Sequence, residues 1–107
     1  MAATILVTGA SGNVGAEIVK LLLAEGLAVR AADRKPARLT QRFGDQLETV
    51  EFDFVRPETY AAAFAGVESM FLMRPPQITD VKKYIAPALD VAQQAGVRHV
   101  VFLSLIG

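Results

Sequence analysis

Short apolar runs alternate along this chain with longer stretches of helical periodicity. The runs are rich in aliphatic side chains, and the stretches between them repeat apolar residues every three or four positions. Continuous apolar runs of this kind are typical of parallel strands covered by helices on both faces. The predicted strands β1 to β5 are residues 4–8, 28–32, 49–52, 69–73 and 98–104, and the predicted helices α1 to α4 are residues 13–25, 36–43, 57–64 and 80–95.

The order of these elements predicts a single α/β domain over residues 1–107. Each strand-to-strand connection is long enough for the right-handed crossover that a parallel sheet requires. Such crossovers arrange the strands in the order 3-2-1-4-5 of a doubly wound, Rossmann-like parallel sheet. Pro87 lies inside the last helical stretch, and we expect it to bend or split that helix after Ala86.

Glycine recurs at every third residue in the turn after β1, at Gly9, Gly12 and Gly15. Gly9 permits a sharp turn, Gly12 lets the backbone approach a pyrophosphate, and Gly15 lets the helix pack close to the sheet. The amides that open α1 then face the phosphates, and the helix dipole favours their charge. A tight turn that binds nothing is the alternative. The predicted pyrophosphate-binding residues are Gly9, Ser11, Gly12, Asn13, Val14 and Gly15.

An acid and two cations follow β2, namely Asp33, Arg34 and Lys35. A carboxylate at this position accepts a hydrogen bond from the ribose 2′-OH of NAD, whereas a guanidinium pairs with the 2′-phosphate of NADP. The two adjacent cations favour NADP, with NAD as the alternative cofactor. Asp33 is also suited to neutralising Arg34 or to capping α2, in which case the cluster is a solvated surface.

The remaining candidates come from the rule that a ligand lies outside the carboxyl ends of parallel strands, where the strand order reverses. After β3, the carboxylate or carbonyl of Asp53 is expected to accept from the adenine amine, with the Phe54 ring beside it, although Asp53 is equally suited to capping α3. The candidates at the ends of β4 and β5 are Leu72, Met73, Arg74 and Ser104.

Charge and composition narrow the classes of partner. Eleven basic and eleven acidic residues cancel, so there is no electrostatic footprint for nucleic acid or for a membrane surface. No signal peptide or membrane-spanning run is visible, and the chain has no cysteine, which fits a cytoplasmic protein. The single histidine, His99, makes a metal site or a histidine-based triad improbable.

Taken with the motifs around Arg34 and Asp53, the glycine turn and the closing stretch from Gly96 to Gly107 resemble a known family. The chain resembles the atypical short-chain dehydrogenases of the NmrA-like group, which includes NAD(P)H:quinone reductases and redox-sensing regulators. The resemblance implies NADP(H) binding, with the glycine turn on the pyrophosphate, Arg34 on the 2′-phosphate, Asp53 and Phe54 near the adenine, and residues 72–74 along the cofactor.

The sequence departs from this family in two ways. Family members are more than twice as long, so the domain is expected to be truncated after β5, without the C-terminal substrate lobe. The tyrosine–lysine pair that short-chain dehydrogenases use for proton transfer is missing, because Phe64 stands four residues after Tyr60 and Ala88 four residues after Tyr84. No catalytic residue is therefore predicted.

Three functions remain open at this stage. The first is the cofactor-binding domain of an NADP-dependent quinone or carbonyl reductase, the second is a non-catalytic redox sensor, and the third is a structural fragment without cofactor. The predicted β5 would also be an apolar edge strand with unpaired backbone groups. We expect a second copy of the chain to pair along it and form a homodimer.

Overall fold

The strands form the parallel sheet that the sequence predicts. The computed structural model describes residues 4–44, 47–73 and 81–103, and its strand order is β3-β2-β1-β4-β5. Every neighbouring pair is parallel. The strands are Thr4–Thr8, Ala28–Asp33, Glu48–Glu51, Val67–Met73 and His99–Leu103. The fold is therefore a doubly wound, Rossmann-like α/β sheet.

The helices lie close to their predicted positions, with two differences. Helices α1 to α4 are Asn13–Ala24, Pro36–Phe43, Tyr60–Phe64 and Val81–Gln94. The predicted third helix begins instead as a 3-10 turn over Pro57–Thr59, whose Thr59 amide donates to the Arg56 carbonyl at 2.9 Å. Helix α4 continues through Pro87, so of the two expected effects, a bend or a split after Ala86, the split is wrong. Ile85 and Ala88 on either side of Pro87 are fully buried, and this packing outweighs one missing hydrogen bond.

The sheet separates two layers of buried side chains. Successive residues of a strand point to opposite faces, and in β1 Leu6 and Val7 are both fully buried on different sides. Val7 packs on the side of α1 and α2, where Leu39 anchors α2. Leu6 packs on the side of α3 and α4, with Phe64 and Ile85. Both faces of β1 are thus covered by buried side chains of the helices.

Two features are missing from the residues that the structure describes. None of these helices is long and apolar enough to cross a bilayer. Within the same ranges, no three His, Cys, Asp or Glu side chains gather where they could hold a metal ion.

Arg30 joins three elements through its guanidinium group. Its side chain is only 11% exposed, and its Nε donates to Glu48 Oε1 at 2.6 Å, which ties β2 to β3. Its Nη1 donates to the carbonyls of Ala63 and Ala65 at 2.8 and 2.7 Å. These are carbonyls at the end of α3 that have no intrahelical partner, so Arg30 acts as the C-terminal cap of that short helix.

We expect Arg30→Met to lower the free energy of unfolding by about 1.5–3 kcal/mol, because it removes charge-assisted hydrogen bonds from a largely buried site. Arg56→Met is the matched control, since the Arg56 side chain also forms an ion pair, with Glu51, but is 52% exposed. That change should cost less than about 1 kcal/mol. Urea unfolding of both variants checks this, and equal losses would contradict the capping role of Arg30.

Candidate cofactor-binding site

The turn after β1 is built on a very close approach of its own backbone. Gly9 has φ +64°, a left-handed conformation that favours glycine, and it directs the chain sharply away from the strand. A Cβ on Gly15 would lie 2.2 Å from the Gly9 carbonyl oxygen, so no side chain fits there. Gly15 therefore packs the first turn of α1 against this turn, rather than against the sheet as the sequence suggested.

Gly12 differs from the other two glycines because the fold does not require it. Its φ is −77°, which any residue adopts, and it is exposed. A Cβ at this position would meet only the Gly9 carbonyl oxygen, at an ordinary contact distance of 3.4 Å. The protein's own packing thus leaves room for a side chain at Gly12. The absence of one keeps the backbone open to a molecule approaching from outside.

The N-terminus of α1 begins at the exposed backbone of Gly12. Gly12 is its N-cap residue and supplies no side-chain hydrogen bond, and the first turn contains no acidic residue. The first amides of a helix have no intrahelical acceptor, and together with the helix dipole they favour an anion. Asn13 and Val14 at this turn are exposed, and Ser11 is half-buried. The arrangement suits a phosphate group.

Hydrogen bonds fasten the turn to the strands on both sides of β1. The Ala10 amide donates to the Ala32 carbonyl of β2 at 3.1 Å. Thr8 is 1% exposed, and its hydroxyl oxygen accepts the Met73 amide at 2.8 Å, at the end of β4. The β1–β4 ladder stops at the Val7–Phe71 pair, so the Thr8 hydroxyl makes the next connection between the two strands. The turn is held in place at the point where the strand order reverses.

Asp33 carries a polar atom that the fold leaves unsatisfied. It is the last residue of β2 and is half-buried, and its Oδ2 is buried without a hydrogen-bond partner. Helix α2 begins after Lys35 with no side-chain cap, so the alternative in which Asp33 caps α2 is wrong. A buried carboxylate oxygen normally has a donor, and a ribose hydroxyl would supply one.

Arg34 is exposed in the connection between β2 and α2. None of the ion pairs among the described residues includes it, so the alternative in which Asp33 neutralises Arg34 is also wrong. Its guanidinium group is open to an anionic ligand.

The turn after β3 is stabilised by its own side chains. The Asp53 carboxylate accepts the Val55 amide at 3.1 Å, and the Asp53 amide donates to the Thr59 hydroxyl at 3.0 Å. Asp53 therefore orders this turn instead of capping α3. The Phe54 ring is 4% exposed and packs edge-on against Phe52, with centroids 4.8 Å apart. The ring thus belongs to the aromatic core, and its position beside the adenine stays a prediction.

Tyr60 shares this buried cluster. Its hydroxyl donates to the Phe54 carbonyl, and the residue is 2% exposed. Burial raises the pKa of Tyr60 above its usual value, and the negative charge of Asp53 adds to that effect. A hydroxyl that is buried, protonated and already bonded to a carbonyl is poorly placed to transfer a proton to a bound substrate.

The candidates at the ends of β4 and β5 are only partly described. Leu72 is fully buried in the core on the α3–α4 side, so its side chain is not open to a ligand. Met73 is 7% exposed, and its Cβ would lie 3.2 Å from a Cβ on Gly9, which places it directly behind the glycine turn. Arg74 and Ser104 lie outside the described residues.

Sequence reasoning missed a group of polar side chains on α2. Arg38, Gln41 and Arg42 line an open groove with Ser11 of the glycine turn. Their signal in the sequence is the four-residue spacing of Arg38 and Arg42, which places both along one side of α2. The hydroxyl of Thr8 was also missed, because its partner is 65 residues away in the sequence.

Comparison with known proteins agrees with this geometry. Residues 9–107 match the NAD(P)H-binding family model. The chain belongs to this family. It is 33% identical over 103 residues to an NAD(P)H azoreductase of Xenophilus azovorans, an alignment that covers 96% of this chain and 36% of the azoreductase. An uncharacterised oxidoreductase of Bacillus subtilis is 32% identical, with 94% of this chain and 33% of the relative covered.

Solved structures extend the likeness to three dimensions. A Citrobacter sp. triphenylmethane reductase complexed with NADP(H) superposes with a TM-score of 0.77 and 30% identity, covering 92% of this chain and 36% of that one. An Escherichia coli NADPH-dependent quinone oxidoreductase has the same fold, with a TM-score of 0.83 and 23% identity over 95% of this chain and 37% of that one. The chain is the NAD(P)H-binding Rossmann domain of the atypical short-chain dehydrogenases, and it spans about a third of these relatives' length.

We expect Thr8→Val to lower the free energy of unfolding by about 1–3 kcal/mol, because it leaves the Met73 amide buried without its acceptor. Thr49→Val is the matched control, since Thr49 is half-buried in β3 and its hydroxyl takes part in none of the hydrogen bonds of the described residues. That control should be close to neutral. Chemical unfolding measures both, and a neutral Thr8→Val would contradict the connection between β1 and β4.

The raised pKa of Tyr60 predicts a pH dependence of stability. The folded state holds this proton more tightly than the unfolded state, whose tyrosine titrates near pH 10. The contribution is therefore fully present below about pH 10 and is lost as the pH rises from there through the folded-state pKa. Tyr60→Phe lacks this titration, so its stability deficit relative to wild type should shrink above pH 10. Urea unfolding between pH 8 and 11.5 measures the difference, and a constant deficit would count against the raised pKa.

Proposed function

We propose that this chain binds NADP(H) along the carboxyl edge of its sheet, as the cofactor-binding domain of an oxidoreductase. The observation that carries the proposal is Gly12, an exposed glycine that neither backbone conformation nor internal packing requires. A pyrophosphate bound close to the backbone would explain why this position has no side chain. The uncapped N-terminus of α1 supports the same ligand, because its free amides favour negative charge.

The adenosine half of the cofactor is assigned to the end of β2. The buried Oδ2 of Asp33 lacks a donor, and a ribose hydroxyl would supply one. Arg34 is exposed and has no ion pair within the described residues, so its guanidinium is available to a 2′-phosphate. This availability favours NADP(H), with NAD(H) as the alternative. Asp53 keeps the proposed role of accepting from the adenine amine, and Phe54 keeps its proposed place beside the adenine.

The reaction supported by the relatives is a reduction. The names of the azoreductase and the triphenylmethane reductase describe reductases of organic compounds, and the quinone or carbonyl reductase that we expected from the sequence belongs to the same class. When bound, the nicotinamide supplies the hydride. The residues of this chain bind and orient the dinucleotide. We assign no substrate-binding residue, because the chain spans only about a third of those relatives' length.

A redox-sensing module is the second candidate, and the Tyr60 hydroxyl favours it. This hydroxyl is buried on the Phe54 carbonyl, and the sequence has no lysine four residues after either tyrosine. A sensor needs dinucleotide binding but no proton donor. Turnover of a quinone with NADPH would support the reductase, whereas binding without turnover would support the sensor.

The proposal predicts that Gly12→Ala folds normally but binds the cofactor poorly. The added methyl group meets no close internal contact, so the free energy of unfolding should change by less than about 1 kcal/mol. The same methyl group stands between the backbone and the pyrophosphate. Losing charge-assisted hydrogen bonds to the phosphate should lower NADP⁺ affinity roughly 10-fold or more in calorimetric titration.

Gly26→Ala provides the control for this experiment. Gly26 has φ +76° and lies between α1 and β2. It precedes the amino end of β2, whereas the glycine turn follows the carboxyl end of β1. Alanine there strains the backbone and lowers stability without approaching the proposed site. Its NADP⁺ affinity should equal that of wild type. If Gly12→Ala also binds like wild type, the pyrophosphate does not lie at the glycine turn.

Pairing along β5 is the proposed mode of self-association. Among the described strands, β5 lies at one edge of the sheet, and Val100, Val101 and Phe102 are 42%, 44% and 42% exposed. These exposed apolar side chains point to both faces of the strand. The unpaired N–H and C=O groups of an edge strand favour pairing with a strand of another chain. We expect a dimer in sedimentation equilibrium, shifted toward monomer by Val101→Lys. A monomer at millimolar concentration would contradict this mode.

A further inference from the structure

An open groove lies beside the glycine turn, between that turn and α2. Its volume is about 340 Å³, and its lining is polar: Ser11 on one side and Arg38, Gln41 and Arg42 on the other. The Arg42 Nη1 donates to the Ser11 carbonyl at 3.4 Å, so this guanidinium bridges α2 and the turn. An arginine has five N–H donors, and this contact uses one of them. The others remain for a ligand in the groove.

The positive charge along this side of α2 is not paired with a carboxylate in the described part of the protein. Arg38 and Arg42 lie four residues apart on α2, where like charges repel one another, and Arg34 lies in the connection just before the helix. No carboxylate in the described ranges forms an ion pair with any of the three. Helix α2 also has no acidic residue in its first turn. An anion in the groove would offset this repulsion.

The groove lies between two parts of the proposed cofactor site. One wall is Ser11, within the turn assigned to the pyrophosphate, and the other wall belongs to α2, which begins after Asp33, Arg34 and Lys35. The ribose of a dinucleotide held by these residues would lie between the two walls, and a phosphate on that ribose would be next to the arginines. Guanidinium groups bind phosphates through paired N–H donors.

We infer that Arg38 and Arg42 of α2, with the Gln41 amide beside them, form part of the 2′-phosphate site and determine the preference for NADP(H). Arg34 alone then does not explain that preference. The exposed 3.4 Å contact of Arg42 with the Ser11 carbonyl keeps this guanidinium beside the glycine turn. The inference rests on the proposed function, since it takes the ribose position from that assignment.

Calorimetric titration of the full chain with NADP⁺, NAD⁺, adenosine 2′,5′-bisphosphate and AMP tests this inference. Arg38→Met and Arg42→Met should each weaken NADP⁺ and the bisphosphate roughly 10-fold or more, since each removes charge-assisted hydrogen bonds to the phosphate. NAD⁺ and AMP should bind with affinities within about two-fold of wild type, because neither carries the 2′-phosphate. Arg98→Met is the matched control, since Arg98 is exposed and precedes β5 at the opposite edge of the sheet. It should change none of the four affinities.

The outcomes separate this inference from the proposed function. If wild type binds neither NAD⁺ nor NADP⁺, the proposed function fails, and the inference fails with it. If wild type prefers NADP⁺ and only Arg34→Met removes that preference, the proposed function stands and the role of α2 is overturned. Equal losses of NADP⁺ and NAD⁺ affinity in Arg42→Met would assign Arg42 to holding the turn alone, which also overturns it. Inorganic phosphate that competes with NADP⁺ but not with NAD⁺ would support the anion site.

Discussion

The close crossing of two backbone segments at Gly9 and Gly15 is the constraint on which the site depends. The space for a Cβ at Gly15 is taken by the Gly9 carbonyl, so α1 starts in direct contact with the turn that precedes it. This contact directs the N-terminus of the helix toward the carboxyl edge of the sheet. The amides there remain uncapped, and their partial charge adds to the dipole of α1. A helix displaced by even one side chain would present these amides elsewhere.

The neighbours of the turn convert that local geometry into a site. Ala10 bonds to β2 and Thr8 bonds to the end of β4, so the strands on either side of β1 position the same few residues. Asp33 is the last residue of the strand that Ala10 contacts, and its carboxylate oxygen without a hydrogen-bond partner lies beside this turn. Folding therefore fixes the glycine turn before any ligand binds. Such preorganisation lowers the cost of binding a charged group.

Much of the fold followed from hydrophobic periodicity, because buried parallel strands and amphipathic helices leave strong local patterns. The three glycines located the turn for the same reason. Features set by distant contacts did not follow: the burial of the Phe54 ring, the continuity of α4 at Pro87 and the Thr8–Met73 hydrogen bond all depend on packing between separate elements. The α2 groove is of this kind too, since Ser11 and Arg42 meet only when α2 folds back beside the turn.

We propose that the glycine turn holds the pyrophosphate of a dinucleotide, and an NMR titration of the ¹⁵N-labelled chain with NADP⁺ measures this at each residue. Each backbone amide reports separately, so the experiment locates the ligand without a mutation. We expect saturable shifts that are largest at Gly12, Asn13 and Val14, with smaller shifts at the end of β2. Saturable shifts centred on β5 or at the amino ends of the strands would contradict it, as would the absence of any saturable shift at millimolar NADP⁺.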